Sequence, residues 1–222
     1  IKRLGALRSC LATTLWIAWM ATPIGAADDI YAVQSRFVPS NFQLFLNLAD
    51  DSSVARSGPV CGSSGGVYGA TFMGQTLYAS ELSNDFSADY LVTIPQSGPL
   101  MGQVSRVSDR PIGFANIESL VAANGELYAG SINFLTRRTT LLKVDPVSGV
   151  GSAVGLGSLD FILVGLAFDP VGDVLYGAGI PFGATGVDTP NLYTVDRTDG
   201  GTTLVGLIGT IVQSLAWDAD LG

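Results

Sequence analysis

Short apolar runs broken by turn residues set the pattern of this chain, and the pattern is clearest between Val164 and Gln213. There GLAF, VLYGA, NLYTV and TTLVGLIG follow one another. They are separated by Asp169-Pro170 with Gly172, by the insert IPFGATGVDT, and by Asp196 with Gly200-Gly201. Pro presets φ for the second position of a turn, Asp accepts from nearby backbone N–H groups, and Gly takes positive φ. The runs therefore read as four antiparallel strands, Leu166 to Phe168, Val174 to Ala178, Leu192 to Val195 and Thr202 to Ile208. They are almost continuously apolar rather than alternating, the pattern of sheets covered on both faces.

The same landmarks recur upstream. An apolar residue followed by Tyr appears as Ile30-Tyr31, Leu77-Tyr78, Leu127-Tyr128 and Leu175-Tyr176, the tyrosines 47, 50 and 48 residues apart. FLNLADDSS, YLVTIPQSG, LLKVDPVSG or LYTVDRTDG follows each, and VYGATF, ESLVAAN, VGLAFDP and QSLAWDA mark the starts of units. Four-stranded units of ~40–50 residues stacked face to face are the mark of a β-propeller, since one sheet cannot bury two apolar faces alone. The expected fold is all-β, a β-propeller of four-stranded blades. Its repeats fall at about 28–66, 67–116, 117–163 and 164–212, with the first strand of a next unit at 213–222. A β-sandwich is the structural rival, but it does not require the same landmarks in the same order at each period. Residues 30–58 hold strands two to four of a unit with no room for a first, and 213–218 hold a lone first strand. Either the last strand completes the N-terminal blade and closes a four-bladed ring without free edges, or the chain is part of a longer propeller. The second is preferred because propellers of more than four blades are commoner.

The N-terminus departs from this pattern. Lys2, Arg3 and Arg8 precede an apolar run from Cys10 to Ala21, and Thr22-Pro23 leads into Gly25, Ala26 and Ala27. A charged start, a short apolar middle and a small-residue exit describe a signal peptide over 1–27, expected to be helical. The run is short for a membrane span of ~20 apolar residues. The mature chain is thus expected to be secreted (extracellular, cell-surface or periplasmic), without a membrane span, and monomeric.

Composition narrows the chemistry. Of 222 residues, 47% are hydrophobic and 14% charged, with 28 glycines, which fits tight-turned β structure and excludes a disordered chain. There is no histidine, so serine triads, His-bearing zinc sites and His-dependent propeller lyases are excluded as ordinarily built. Cleavage after Ala27 removes three of the 11 basic residues and no acidic one, leaving 8 against 19, a net of −11. Such a surface repels phosphate backbones and makes nucleic acid a poor partner. Cys61 becomes the lone cysteine, either buried or open to intermolecular pairing.

LYGAG, NLYTVDRTDGGTTLVGLIG and LAWD resemble repeats of secreted bacterial β-propellers of unknown function. The resemblance covers most of residues 30–218. Many members of that group carry a C-terminal sorting signal with a Val-Pro-Glu-Pro motif and a membrane helix; that signal is not in this sequence. The resemblance implies the fold and export and no particular activity.

The regular features read as architecture. The repeated tyrosines are expected to pack between blades with their hydroxyls bonded to neighbours. Asp145, Asp169 and Asp196 recur where Asp caps turns. Structural calcium is the alternative there, although none of the close Asp pairs meets the D-x-[DN]-x-[DN]-G loop. No other cofactor is expected; a quinone-binding repeat usually carries a Trp after the Gly turn, and Trp217 sits elsewhere. The loops between second and third strands, RFVPSNF, LSNDFSAD, INFLTRR and IPFGATGVDTP, differ in every copy. In a propeller they gather on one face with the connections between blades. Each carries an aromatic beside charged residues: Phe37, Phe42 and Arg36; Phe86 with Asp85 and Asp89; Phe134 with Arg137 and Arg138; Phe182 with Asp188. A ring supplies contact area and a charge orients, so Asp85, Phe86, Phe134, Arg137, Arg138, Phe182 and Asp188 are the candidate binding residues. Ordinary solvated loops with one anchoring Phe each are the plainer reading.

Three functions fit: a non-catalytic propeller binding a protein or glycan on its loop face, a lyase or hydrolase using carboxylates among Asp85, Asp89, Asp160 and Asp188, or a matrix component. The first is preferred. It predicts that substituting Arg137 and Arg138 weakens ligand capture in a pull-down without lowering the melting temperature.

Overall fold

The structure, a computed structural model, describes strand backbones at 15–18, 30–34, 43–48 and 56–60. It also describes residues 66–217 apart from 84, 86, 96–99, 101, 182–188, 211 and 213. Sixteen strands form four antiparallel sheets, each here called a blade. Blade 1 is β1 (Leu15–Ala18), β2 (Ile30–Gln34), β3 (Gln43–Leu48) and β4 (Arg56–Val60). Blade 2 is β5 (Gly66–Met73), β6 (Thr76–Leu82), β7 (Asp89–Thr93) and β8 (Ser105–Arg106). Blade 3 is β9 (Ile117–Ala123), β10 (Glu126–Asn133), β11 (Arg138–Val144) and β12 (Gly151–Ala153). Blade 4 is β13 (Phe161–Asp169), β14 (Val174–Pro181), β15 (Asn191–Val195) and β16 (Thr202–Leu207). In every blade the strands pair in sequence order, as a meander joined by tight turns does.

Leu15–Ala18 corrects two expectations. The described part of residues 1–27 is a strand, not a helix, and it pairs with β2 from Leu15↔Gln34 to Ala18↔Tyr31. The physical reason is local: Leu-Trp-Ile-Ala suits a strand, and β2 would otherwise present an open edge. Blade 1 therefore has its first strand, in the place that the ring-closing alternative reserved for the C-terminal run.

The first strands adjoin one another: β9 lies against both β5 and β13. Close approach there is licensed by glycine. A Cβ on Gly69 would stand 2.8–3.0 Å from the backbone of Ser119 and Leu120 in the next blade. One on Gly165 would stand 2.7–3.0 Å from the backbone of Ser214 and Leu215. Each of β5, β9 and β13 also carries a bulge against its second strand, at Gly69, Glu118 and Val164. β13 runs through its bulge back to Phe161, ahead of the expected strand from Leu166.

Apolar layers fill the spaces between blades. One lies between blades 2 and 3, with Leu91, Ile117, Leu120, Leu127 and Leu142. Another lies between blades 3 and 4, with Tyr128, Leu141, Phe161, Leu163, Phe168 and Leu175. Tyr78 and Tyr128 pack in the layers between blades, as expected of the repeated tyrosines; the side chain of Tyr31 lies outside the described residues. Tyr128 is buried beside Phe168 with its hydroxyl donating to Glu126 at 2.6 Å, and Tyr176 stacks on Trp217 at 5.9 Å between ring centres. Burial first and the Glu126 carboxylate second push the Tyr128 hydroxyl up to about 12.

Buried hydroxyls tie blade to blade. Thr139 donates to the Phe161 carbonyl and accepts from Leu163 N–H, both at 2.9 Å. Ser80 donates to the Ile117 carbonyl at 2.8 Å, and Thr71 accepts from Ala122 N–H at 3.1 Å. At the opposite end from the variable loops, Arg197 pairs with Asp173 and lies over the Phe168 ring within blade 4, and Asp173 ties that blade to blade 3 by accepting from Asn124.

Filling the Gly69 approach tests this packing. Gly69→Ala forces a methyl against backbone at a residue whose φ is +32°, and is expected to cost about 1–3 kcal/mol. Urea unfolding measures the loss.

Candidate functional site

The loops expected to gather on one face do so where they are described. The β10–β11 turn is tied to the connection into blade 4 by a two-way backbone pairing of Thr139 with Leu159. The end of β10 is tied to the connection into blade 3, Ile132 N–H donating to Asn116 and the Ser131 hydroxyl to Ala115. Ile208 N–H likewise donates to Pro190. One end of the molecule is thus assembled from the second-to-third-strand loops and the connections between blades.

Within it the β10–β11 turn stands out. Asn133 closes the turn by accepting from the N–H groups of Leu135 and Thr136 at 3.0 and 3.1 Å, and Arg137 completes it at φ +54°. That geometry lifts Phe134 and Leu135 into solvent, 54% and 97% exposed. Beside them Arg138, first residue of β11, pairs with Asp160 of the following connection at 2.9 Å, both side chains largely exposed. Phe134, Leu135 and the Arg138–Asp160 pair form an apolar projection with a charged border. Arg137 is half-buried and held by backbone strain and its own contacts, so it belongs to the frame of the turn more than to its surface.

The remaining candidates fare differently. Asp85 is exposed in the β6–β7 loop, but its carboxylate accepts from the Ser83 and Ser87 hydroxyls and from Ser87 N–H. Those bonds hold it down at about 2, so it is a fixed anion that organises its own loop. Phe86, Phe182 and Asp188 lie outside the described residues, as do Phe37, Phe42, Arg36 and Cys61. Asp145, Asp169 and Asp196 cap turns, accepting from Val147, Val171 and Thr198 N–H at 2.7–2.8 Å. Among the described residues no group of three or more Asp, Glu, Cys or His side chains is arranged to hold a metal ion.

Sequence reasoning missed two residues of the projection's role. Leu135 carries the most exposed apolar surface there, and its signal was an apolar pair inside a polar turn. Asp160 was weighed only as an acid, whereas its partner is Arg138.

Asp89 is the unexpected group. It opens β7 and is 1% exposed, with one carboxylate oxygen accepting from Ile117 N–H at 3.4 Å and the other without any partner. It occupies in blade 2 the tethering place that Thr139 holds in blade 3. Burial, only partly offset by the Ile117 and Asn116 N–H groups and aided by the nearby Glu118, pushes it up to about 7. Burial raises Glu118 as well.

No protein-family model matches the sequence, and no curated protein matches it. Solved structures do. A chain of the nidogen/laminin complex matches with a TM-score of 0.57 at 13% identity, over 91% of this chain and 68% of that one. A gluconolactonase from Xanthomonas campestris gives 0.60 at 15% identity, over 93% and 67%. TolB from Acinetobacter baumannii gives 0.55 at 14% identity, over 89% and 44%. The fold is a β-propeller. At such identities the likeness carries nothing further, and the matched chains include one from a protein–protein complex and an enzyme. This propeller chain spans about two thirds of the first two chains and less than half of the third.

Asp89 gives a pH prediction. Its folded value of about 7 stands above an unfolded value near ~4, so the stability that the neutral form supplies is complete below ~4 and is lost as pH rises to about 7. With no histidine in the chain, little else titrates there. Unfolding free energies from urea titrations are expected to fall between pH 5 and pH 8 by on the order of a few kcal/mol, and Asp89→Asn is expected to remove most of that fall.

Proposed function

We propose that this protein is a secreted, non-catalytic propeller whose loop end captures an extracellular partner through the β10–β11 projection. The observation that carries the reading is the pairing of 54% exposed Phe134 and 97% exposed Leu135 with the Arg138–Asp160 border. Apolar side chains held out by a closed turn, rimmed by charge, are the composition of an interface centre and its rim. A protein or a glycan fits such a face; a leucine beside the ring favours a protein surface, because aliphatic area does not orient a sugar. The propellers of similar shape include a chain from a protein–protein complex, which supports the class.

The carboxylates that an enzyme would need are otherwise employed where they are described. Asp85 is bound by its own serines, Asp160 by Arg138, and Asp89 is sealed between blades. Export rests on the charged and apolar segments of 1–27 and on the acidic balance of the remainder; removal of 1–27 would take β1 out of blade 1 and reopen the edge of β2.

The test is capture of proteins from culture supernatant, and of arrayed glycans, by immobilised protein and by a Phe134→Ser/Leu135→Ser variant. The variant is expected to lose at least tenfold in capture while its melting temperature stays within about 2 °C, since both side chains face solvent. Undiminished capture, or capture lost only in step with stability, overturns the reading.

A further inference from the structure

Two contacts made by one blade on the next recur at the far side of blade 4, where the sheet to receive them is missing from the described residues. Gly165 admits the backbone of Ser214–Leu215 as Gly69 admits that of Ser119–Leu120. Tyr176 stacks on Trp217, the counterpart of buried Tyr128 beside Phe168. Ser214–Trp217 therefore lies where β9 lies against β5, as the inner strand of another blade, yet among the described residues it is paired with no strand. Its Trp217 indole N–H is buried without an acceptor.

Blade 4 also presents the residues of an interblade core that no described sheet covers. The register of second and third strands (Tyr128↔Lys143 in blade 3, Tyr176↔Thr194 in blade 4) makes Leu192 the counterpart of Leu141. Val-Gly-Leu at 154–156 recurs at 205–207; Val154 N–H donates to Leu141, and the β15–β16 bulge sets Val205 beside Gly206 opposite Leu192, so Val205 takes the place of Val154. Leu141 and Val154 are 1% and 8% exposed in the layer between blades 3 and 4, whereas Leu192 is half-exposed and Val205 is 55% exposed. Blade 3 shows what covers such a face: a further sheet of the same repeat.

We infer that the far face of blade 4 is the seat of a fifth four-stranded blade whose inner strand is Ser214–Trp217 and whose other strands are built by polypeptide continuing from Asp218. The interface continues the one already formed between blades 2 and 3 and between blades 3 and 4. The fifth sheet supplies the acceptor for Trp217 and covers Tyr176, Leu192 and Val205.

Two proteins test this: the chain to Gly222, and the same chain extended after Asp218 by a second copy of residues 170–213, the three strands a blade lacks there. Each carries Val205→Cys, with Cys10 and Cys61 changed to Ser, and a Val154→Cys version serves as the buried reference. Maleimide labelling of Val205→Cys is expected at the free-thiol rate in the shorter protein and at least tenfold slower, near the reference, in the longer. Leu192→Ala is expected to lower the urea midpoint of the longer protein more than that of the shorter. Equal labelling in the two proteins overturns the inference. So does protection already present in the shorter one: sedimentation as a monomer then assigns the face to the N-terminal blade, and as a dimer to a second copy.

Discussion

The sheets whose side chains are described bury apolar residues between them, and that constraint governs everything else about the protein. A four-stranded meander of this length has too little area to stand alone, so it persists only between two others like it. Burial then depends on how near neighbouring sheets come. At the inner strands they come close enough for backbone to meet backbone, which requires Gly69 and Gly165 to lack a side chain. Away from the inner strands the same gap widens, and Leu, Ile, Phe and Tyr fill it. Polar ties such as Thr139 to Leu163 fix the angle between sheets at positions where a slip would leave a buried donor unpaired.

A frame held from within leaves its loop end free to vary. The β10–β11 turn can carry Phe134 and Leu135 outward because neither side chain is needed by the layers beneath, where Ile132 and Leu141 already fill the space. The turn is stabilised by Asn133 and by the pairing of Thr139 with Leu159, so the projection is presented on a fixed base. That fixed base lowers the conformational entropy lost on binding. Asp89 shows the opposite case, a polar group drawn into the frame: a carboxyl does a hydroxyl's tethering task, and burial shifts it toward the neutral form.

The recurring order of landmarks made the fold legible in the sequence. Apolar-Tyr pairs and Asp-Gly turns specify strands and reversals locally, and their period specifies sheets that repeat. Asp145, Asp169 and Asp196 were legible as caps because Asp bonds its own turn through near neighbours. What was not legible depends on partners distant in sequence. Leu15–Ala18 reads as a leader because its flanks are charged and small, whereas its pairing depends on the open edge of β2. The bulges at Gly69, Glu118 and Val164 arise from fitting curved inner strands together and leave no common residue type behind. Arg138 was recognised as a surface charge, but its partner Asp160 lies a whole hairpin away. Glu81 shows the same limit: its burial is compensated by Arg106, which also lies over the Tyr90 ring at 3.6 Å, and nothing near Glu81 in sequence announces it.

The central claim is that successive sheets are arrayed about a common centre with their inner strands side by side. Spin-label distances among the first turns of three successive blades, at Gln75, Asn124 and Val171, test it most directly. The account predicts that the Gln75–Asn124 and Asn124–Val171 distances are similar and that the Gln75–Val171 distance exceeds either while falling short of their sum. A Gln75–Val171 distance equal to or below the neighbouring ones, as in two stacked sheets, would contradict it.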